Sequence, residues 1–150
     1  MRDLSRRSFV SAAVAGACYC GSATAQSPIA GERVALRGYD PVSYFTAGKP
    51  EKGSSEFTFA FDDTSYWFKS AEHRAQFAAE PERYAPQFDG YCAIQVSRGV
   101  KAEPDPEAWS ITNGKLYVFS EKMAVPMFQR QTTGIVEKAG ENWPKLRAAR

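Results

Sequence analysis

The stretch WSITNGKLYVF, residues 109–119, constrains the fold most strongly. Asn113-Gly114 joins two runs of β-favouring residues, and this dipeptide accepts the left-handed backbone of a two-residue hairpin turn. A second hairpin is predicted upstream, where EFTFAF (56–61) alternates between apolar and other residues and YWFK (66–69) returns after a polar turn.

Helical segments separate and follow the two hairpins. Asp40 and Pro41 suit the N-cap and the first position of one helix, and Ser70 suits the N-cap of another. Short and long helices are also predicted over 92–99 and within 134–150. Two hairpins with three or four helices predict a small single-domain α+β fold with an antiparallel sheet. No internal repeat is apparent.

The N-terminus predicts a twin-arginine signal peptide over residues 1–25. Arg6-Arg7 precede a weakly apolar stretch, which ends at a small-x-small cleavage site with Ala25. The alternative is a lipoprotein cleaved before Cys18. We expect export of the folded protein by the twin-arginine machinery to the periplasm or the extracellular space, a flexible segment over 26–33, and one domain over 34–150.

The charge balance excludes two classes of partner. The chain has 19 Lys and Arg and 17 Asp and Glu, and three of these basic residues but only one acidic residue precede the cleavage site. The mature domain is therefore neutral, whereas a surface for nucleic acid or anionic lipid needs a basic excess. We expect no nucleic-acid partner and no membrane anchor after cleavage.

Cys92 is the one cysteine expected in the mature chain, because Cys18 and Cys20 leave with the signal. An intramolecular disulfide and a closed zinc site of four Cys or His ligands are thereby excluded. Cys92 lies in the first turn of a predicted helix, where the helix dipole favours a thiolate that could act as a nucleophile or ligand. The alternative is that it fills space as a small apolar group.

Several polar side chains near turns are candidates for a binding pocket. Tyrosine hydroxyls, a carboxylate and the thiol could line one pocket, although tyrosine hydroxyls at turns also satisfy backbone groups. The candidate ligand-binding residues are Tyr39, Asp40, Tyr44, Tyr91 and Cys92.

His73 and Cys92 are the candidate metal ligands. His73 is in the first turn of its helix, which favours the neutral imidazole that serves as ligand or base; the alternative is a surface histidine. Met123 and Met127 could complete a soft copper(I) site with these two residues, or could simply fill the core.

Four segments resemble the YHS-domain family, in its longer secreted bacterial form. They are GYDPVSYF (38–45), YWFKSAEHRAQFAAEPERYAPQFDGYCA (66–93), DPEAWSITNGKLYVF (105–119) and NWPKL (142–146). The resemblance implies a small α+β domain of a type described as metal-binding. The cysteines of short relatives fall on Ser43, Lys69 and His73, so only His73 keeps ligand character. Cys92 looks like a feature of the long form.

Taken together, these features favour a non-enzymatic ligand-binding module, with copper or another soft metal, a small molecule or a protein partner as candidate ligands. One alternative is a thiol-dependent enzyme or redox protein that uses Cys92 as nucleophile and His73 as base. The other is a structural or interaction domain in which Cys92 is buried.

Overall fold

Two β-hairpins organise residues 33–149, the part of the chain that the computed structural model describes. The strands are β1 (Ser54–Phe61), β2 (Thr64–Phe68), β3 (Asp105–Thr112) and β4 (Lys115–Phe119). β1 pairs with β2 and β3 with β4, both antiparallel, and they form two separate two-stranded sheets. The predicted hairpin turn is confirmed, since Asn113 and Gly114 both have positive φ.

The described part of the fold also contains six α-helices, so the α+β class is confirmed. The number of helices is larger than the three or four expected. The helices are α1 (Pro41–Thr46), α2 (Ala71–Ala79), α3 (Pro81–Tyr84), α4 (Ala93–Ser97), α5 (Ala124–Arg130) and α6 (Thr132–Ala148). Within residues 33–149, none of these helices has the length and apolar character needed to cross a bilayer.

The predicted helix caps are confirmed. Asp40 Oδ1 accepts a hydrogen bond from the Val42 amide at 2.8 Å, and Ser70 Oγ accepts one from the His73 amide at 3.2 Å. Each side chain satisfies an amide that has no partner within its own helix. These two caps fix where α1 and α2 begin.

One series of elements occurs twice along the chain: a left-handed turn, a short helix, a hairpin and a second helix. We call residues 35–79 repeat one and residues 87–130 repeat two. The turns Ala35–Gly38 and Gln87–Gly90 each place two successive non-glycine residues at positive φ before a glycine. The expectation that the chain has no internal repeat was therefore wrong.

The hairpins match in register as well as in order. Ser54 pairs with Phe68 in repeat one and Asp105 with Phe119 in repeat two, and both ladders are irregular directly after that pair. The following helix then packs one phenylalanine on the hairpin: Phe77 lies 5.1 Å from Phe68 between ring centroids, and Phe128 lies 4.9 Å from Phe119. The two repeats therefore have equivalent positions.

Each repeat has its own core, and β4 contributes to both. Leu116 and Val118 lie in core cluster one, which is built mainly from repeat one. Tyr117 and Phe119 lie in core cluster two, which is built from repeat two and α6. Successive side chains of a strand point to opposite faces, so β4 forms a wall between the clusters.

The described chain begins at Arg33, the last residue of the segment expected to be flexible. Arg33 is held in place, because its Nε donates to Glu103 at 2.7 Å and its Nη1 donates to the Asp89 carbonyl at 2.6 Å. The predicted signal peptide and residues 26–32 lie outside the described residues.

Candidate functional site

A buried carboxylate, Asp40, lies where α1, β2 and α2 meet. Besides the cap of α1, its Oδ2 accepts a hydrogen bond from the Lys69 amide at 3.0 Å and lies 2.7 Å from Nδ1 of His73. Asp40 is fully buried and His73 is buried as well. Burial of a carboxylate is costly unless it is hydrogen-bonded, and these contacts offset that cost. Asp40 therefore fixes the start of α2 against the start of α1.

His73 is oriented by this contact. Its Nδ1 forms the hydrogen bond with Asp40, so the ring is held with Nε2 directed away from that carboxylate. The side chain is 10% exposed, and within residues 33–149 the hydrogen bond of the ring is the one through Nδ1. Such an arrangement presents a positioned base or a single ligand.

The neighbouring surface carries an ion pair between Lys69 and Glu51. Lys69 Nζ lies 2.7 Å from Glu51 Oε2, and this contact lowers the pKa of Glu51 and raises that of Lys69. The nearby hydroxyl of buried Ser43 lowers the pKa of Glu51 further. Within the described chain, however, Ser43 Oγ forms no hydrogen bond of standard geometry. Ser43, Lys69 and His73 thus gather around Asp40 and Glu51.

Tyr39 and Tyr44 stabilise the fold around this cluster. The Tyr44 hydroxyl donates to the Pro106 carbonyl at 2.9 Å, and burial raises the pKa of Tyr44. Its ring also meets Trp109 edge-on, with centroids 5.2 Å apart. Tyr39 pairs through its backbone with Lys52 and packs against core cluster one. Tyr44 therefore joins the first repeat to the second hairpin, and its hydroxyl satisfies a backbone group.

Cys92 lies elsewhere, in core cluster two, and is 2% exposed. Its thiol does not cap α4, and its neighbours in the cluster include Ile94 and Phe119. Because Asp40 is enclosed by repeat one and Cys92 lies within cluster two, the expected pocket with Asp40 and Cys92 at its base is not formed. The apolar character of cluster two instead supports Cys92 as a packing residue.

Tyr91 lies on the outside of repeat two. The Arg33 guanidinium carbon is 3.7 Å from the centroid of its ring, and the ring of Trp143 is 6.0 Å away. Of the five candidate ligand-binding residues, the structure thus places Tyr39, Asp40 and Tyr44 in repeat one and Tyr91 and Cys92 in repeat two.

The described residues do not fit a copper or other soft-metal site. Within residues 33–149, no group of three or more His, Cys, Asp or Glu side chains could hold a metal ion. His73 faces Asp40, Cys92 is buried in the other cluster, and Met123 is 84% exposed. Met127 packs against the cluster that contains Cys92, but His73 and Met123 do not join it, so the predicted set of sulfur and imidazole ligands is not completed.

A cleft of about 250 Å³ lies between the first hairpin, the turn Gln87–Gly90 and α6. We call it the aromatic cleft. Tyr66, Phe88 and Trp143 line it, and the rings of Phe88 and Trp143 meet edge-on with centroids 5.8 Å apart. These rings give the aromatic cleft apolar walls.

Charged groups lie among these walls. Arg147 Nη2 lies 3.0 Å from Asp62 Oδ1, whereas Arg147 Nε is 3.8 Å from Asp89 Oδ2. Burial raises the pKa of Asp89, although Arg147 opposes the shift. Asp89 is therefore a partly buried carboxylate whose ion pair with Arg147 is long, at 3.8 Å.

Sequence reasoning missed Phe88, Asp89, Trp143 and Arg147 as site residues. Phe88 and Asp89 precede Gly90-Tyr91 as Leu36 and Arg37 precede Gly38-Tyr39, so an alignment of the chain with itself could have marked this turn. The position of α6 has no comparable signal, since it follows the second repeat and packs on α4 through Asn142.

Comparisons of the chain with models of protein families, with curated proteins and with solved structures found no match.

Proposed function

We propose that the chain is an exported, non-enzymatic ligand-binding module of the YHS type that holds a small organic molecule in the aromatic cleft. The quoted segments support the family, and the arginine pair with its cleavage site supports export. The observation that carries the binding role is the cleft itself, whose lining combines aromatic side chains with the partly buried carboxylate of Asp89. Concave sites in which aromatic side chains lie beside polar groups are typical of small-molecule binding, and this lining also contains Asp62, Glu82 and Arg147.

The position of Cys92 favours binding over thiol chemistry. A thiol nucleophile must reach both a substrate and a base, and Cys92 is buried among apolar groups while His73 Nδ1 faces Asp40. His73 and Asp40 also stabilise the junction of α1 and α2 through hydrogen bonds. Their part in this proposal is to position repeat one, which supplies one wall of the cleft.

Binding can be tested through Trp143 by nuclear magnetic resonance. The chain has three tryptophans, so its indole N–H groups give three signals that single Trp→Phe variants assign. We expect at least one compound from a panel of amines, sugars and carboxylates to shift the Trp143 signal and leave that of Trp109 in place.

The matched variant is Phe88→Ala, which removes one aromatic wall. We expect it to abolish the shift of the Trp143 signal. A panel in which no compound moves Trp143, or a shift that persists unchanged in Phe88→Ala, would contradict the proposal.

A further inference from the structure

We infer that the aromatic cleft takes an organic ammonium ion with N–H donors, which Asp89 and the Tyr66 hydroxyl accept while the aromatic rings surround its carbon chain. This inference rests on the proposed function and names the ligand class of the same site. Its elements are the charge of the cleft, one unpartnered hydroxyl and the aromatic walls.

The cleft has an excess of negative charge. Its lining contains the carboxylates of Asp62, Glu82 and Asp89 but only one cation, Arg147. The nearby Arg33 does not offset this excess, because its side chain forms a bidentate pair with Glu103. A cationic ligand would be complementary to this lining, whereas an anion would meet three carboxylates.

Arg147 is already engaged by the protein. It contacts the Asp62 carboxylate at 3.0 Å and donates to the Asp62 carbonyl at 3.2 Å. A carboxylate ligand would have to compete with these contacts. Asp89, by contrast, has only the 3.8 Å approach of Arg147 Nε, so its oxygens can accept hydrogen bonds from a ligand.

Tyr66 supplies a second acceptor in the cleft. It is 1% exposed and lines the cleft, and within residues 33–149 its hydroxyl has no hydrogen-bond partner. Its oxygen is not among the fully enclosed polar atoms that lack a partner, so the small exposed part of Tyr66 includes Oη and opens on the cleft. At the cleft this oxygen can accept a hydrogen bond from a ligand, and an ammonium N–H would donate one.

The aromatic walls suit the same ligand. Phe88 and Trp143 meet edge-on, and cations bind favourably over aromatic faces. The cleft volume of about 250 Å³ lies below the range usual for drug-sized ligands, so the ligand is a small amine.

The test is a titration of the full chain with n-butylammonium, its neutral analogue 1-pentanol and the anion butyrate, followed through the indole signal of Trp143. We expect n-butylammonium to bind with a Kd of about 1–10 mM. 1-Pentanol and butyrate should bind about tenfold or more weakly, since they lack the positive charge.

Two variants remove the acceptors and two serve as matched controls. Asp89→Asn and Tyr66→Phe should each weaken n-butylammonium binding by about tenfold. Tyr117→Phe changes the equivalent tyrosine of repeat two, and Glu121→Gln removes an exposed carboxylate outside the cleft; both should leave the Kd unchanged.

The outcomes separate the inference from the proposed function. If 1-pentanol or butyrate binds as tightly as n-butylammonium while Trp143 still responds, the ammonium class is overturned and the binding role stands. If the two acceptor variants bind n-butylammonium like the controls do, the inference is overturned as well. If no probe or panel compound moves the Trp143 signal, both fail.

Discussion

Asp40 and Cys92 occupy equivalent positions in the two repeats. Each follows a Gly-Tyr pair and occupies the N-cap position of a short helix. Each also donates its backbone amide to a carbonyl in the loop before the hairpin: Asp40 to Glu51 at 2.8 Å and Cys92 to Ala102 at 2.9 Å. Asp40 contacts His73, whereas the corresponding position of repeat two is Ala124, four residues before Phe128. The same backbone therefore carries the hydrogen-bonded pair Asp40 and His73 in one repeat. In the other repeat the corresponding residues, Cys92 and Ala124, are small side chains of core cluster two.

This relationship predicts unequal costs for two matched truncations. Asp40→Ala removes the cap of α1 and leaves the Lys69 amide and the His73 ring without their acceptor, so we expect a loss of about 3 kcal/mol in the free energy of unfolding. Cys92→Ala removes only a small apolar group and should cost about 1 kcal/mol. Urea denaturation measures both, and equal costs would contradict the assignment of Asp40 as the hydrogen-bonding centre.

Burial of Cys92 predicts that its thiol is protected in the folded protein. A disulfide reagent such as dithionitrobenzoate should label Cys92 only as fast as the protein opens, and rapidly in denaturant. The destabilised Asp40→Ala variant should be labelled faster than the wild type under native conditions. Immediate labelling of Cys92 in a native chain that lacks Cys18 and Cys20 would instead indicate an accessible thiol.

The repeat predicts similar energetic roles for Phe77 and Phe128. Each packs on the tyrosine and the phenylalanine of its own hairpin and is fully buried. Phe77→Leu and Phe128→Leu should each lower the free energy of unfolding by about 1–2 kcal/mol. A large loss for one and none for the other, measured by denaturant titration, would argue against equivalent packing.

Asp89 predicts a pH dependence of stability. Burial raises its pKa in the folded protein above the ordinary value of 3.8. Asp62 and Asp63 raise this pKa further, whereas Arg147 and Arg33 oppose the shift. The free energy of unfolding is therefore highest below the pKa that Asp89 has in the unfolded chain. It falls as the pH rises through the pKa that Asp89 has in the folded protein. Asp89→Asn removes that loss, and asparagine tolerates the positive φ at this position.

Unfolding experiments between about pH 3 and pH 7 test this dependence. Relative to the wild type, Asp89→Asn should gain stability as the pH rises, while it loses binding of n-butylammonium. The matched variant Glu121→Gln should show neither trend. A variant that loses stability relative to the wild type towards neutral pH would contradict the origin assigned to the shift.

Two glycines predict opposite effects of an added methyl group. A Cβ at Gly53 would lie 2.5 Å from the backbone carbon of Trp67, so Gly53→Ala must displace the strand and should cost several kcal/mol, about 2–4. Gly140 lies inside α6 with nothing within 4 Å, so Gly140→Ala should stabilise the protein by about 0.5–1 kcal/mol. Thermal unfolding of the two variants measures this contrast.

The elements with local chemical signals could be predicted from the sequence. The Asn113-Gly114 turn and the caps Asp40 and Ser70 each depend on residues adjacent in sequence, and all three are confirmed. The assembly could not be predicted in the same way. The contact between Asp40 and His73 depends on how β2 leads into α2, and the separation of Cys92 from Asp40 depends on which face of β4 each repeat covers.

The repeat and the cleft escaped sequence analysis for related reasons. The two repeats share few residues beyond Gly-Tyr and the Tyr-x-Phe of the second strand, since their backbones agree more closely than their side chains do. The cleft joins residues from the first hairpin, a turn of repeat two and α6. No spacing along the chain relates Tyr66, Asp89 and Trp143.

The shared strand β4 has a consequence for the origin and the unfolding of the molecule. Leu116 and Val118 complete the core of the first half, although they belong to the second. If the fold arose by duplication, an ancestral half must have covered that surface in another way, such as by pairing with a copy of itself. In the present chain, separating the two repeats would expose both core clusters. The repeats should therefore unfold in a single cooperative transition.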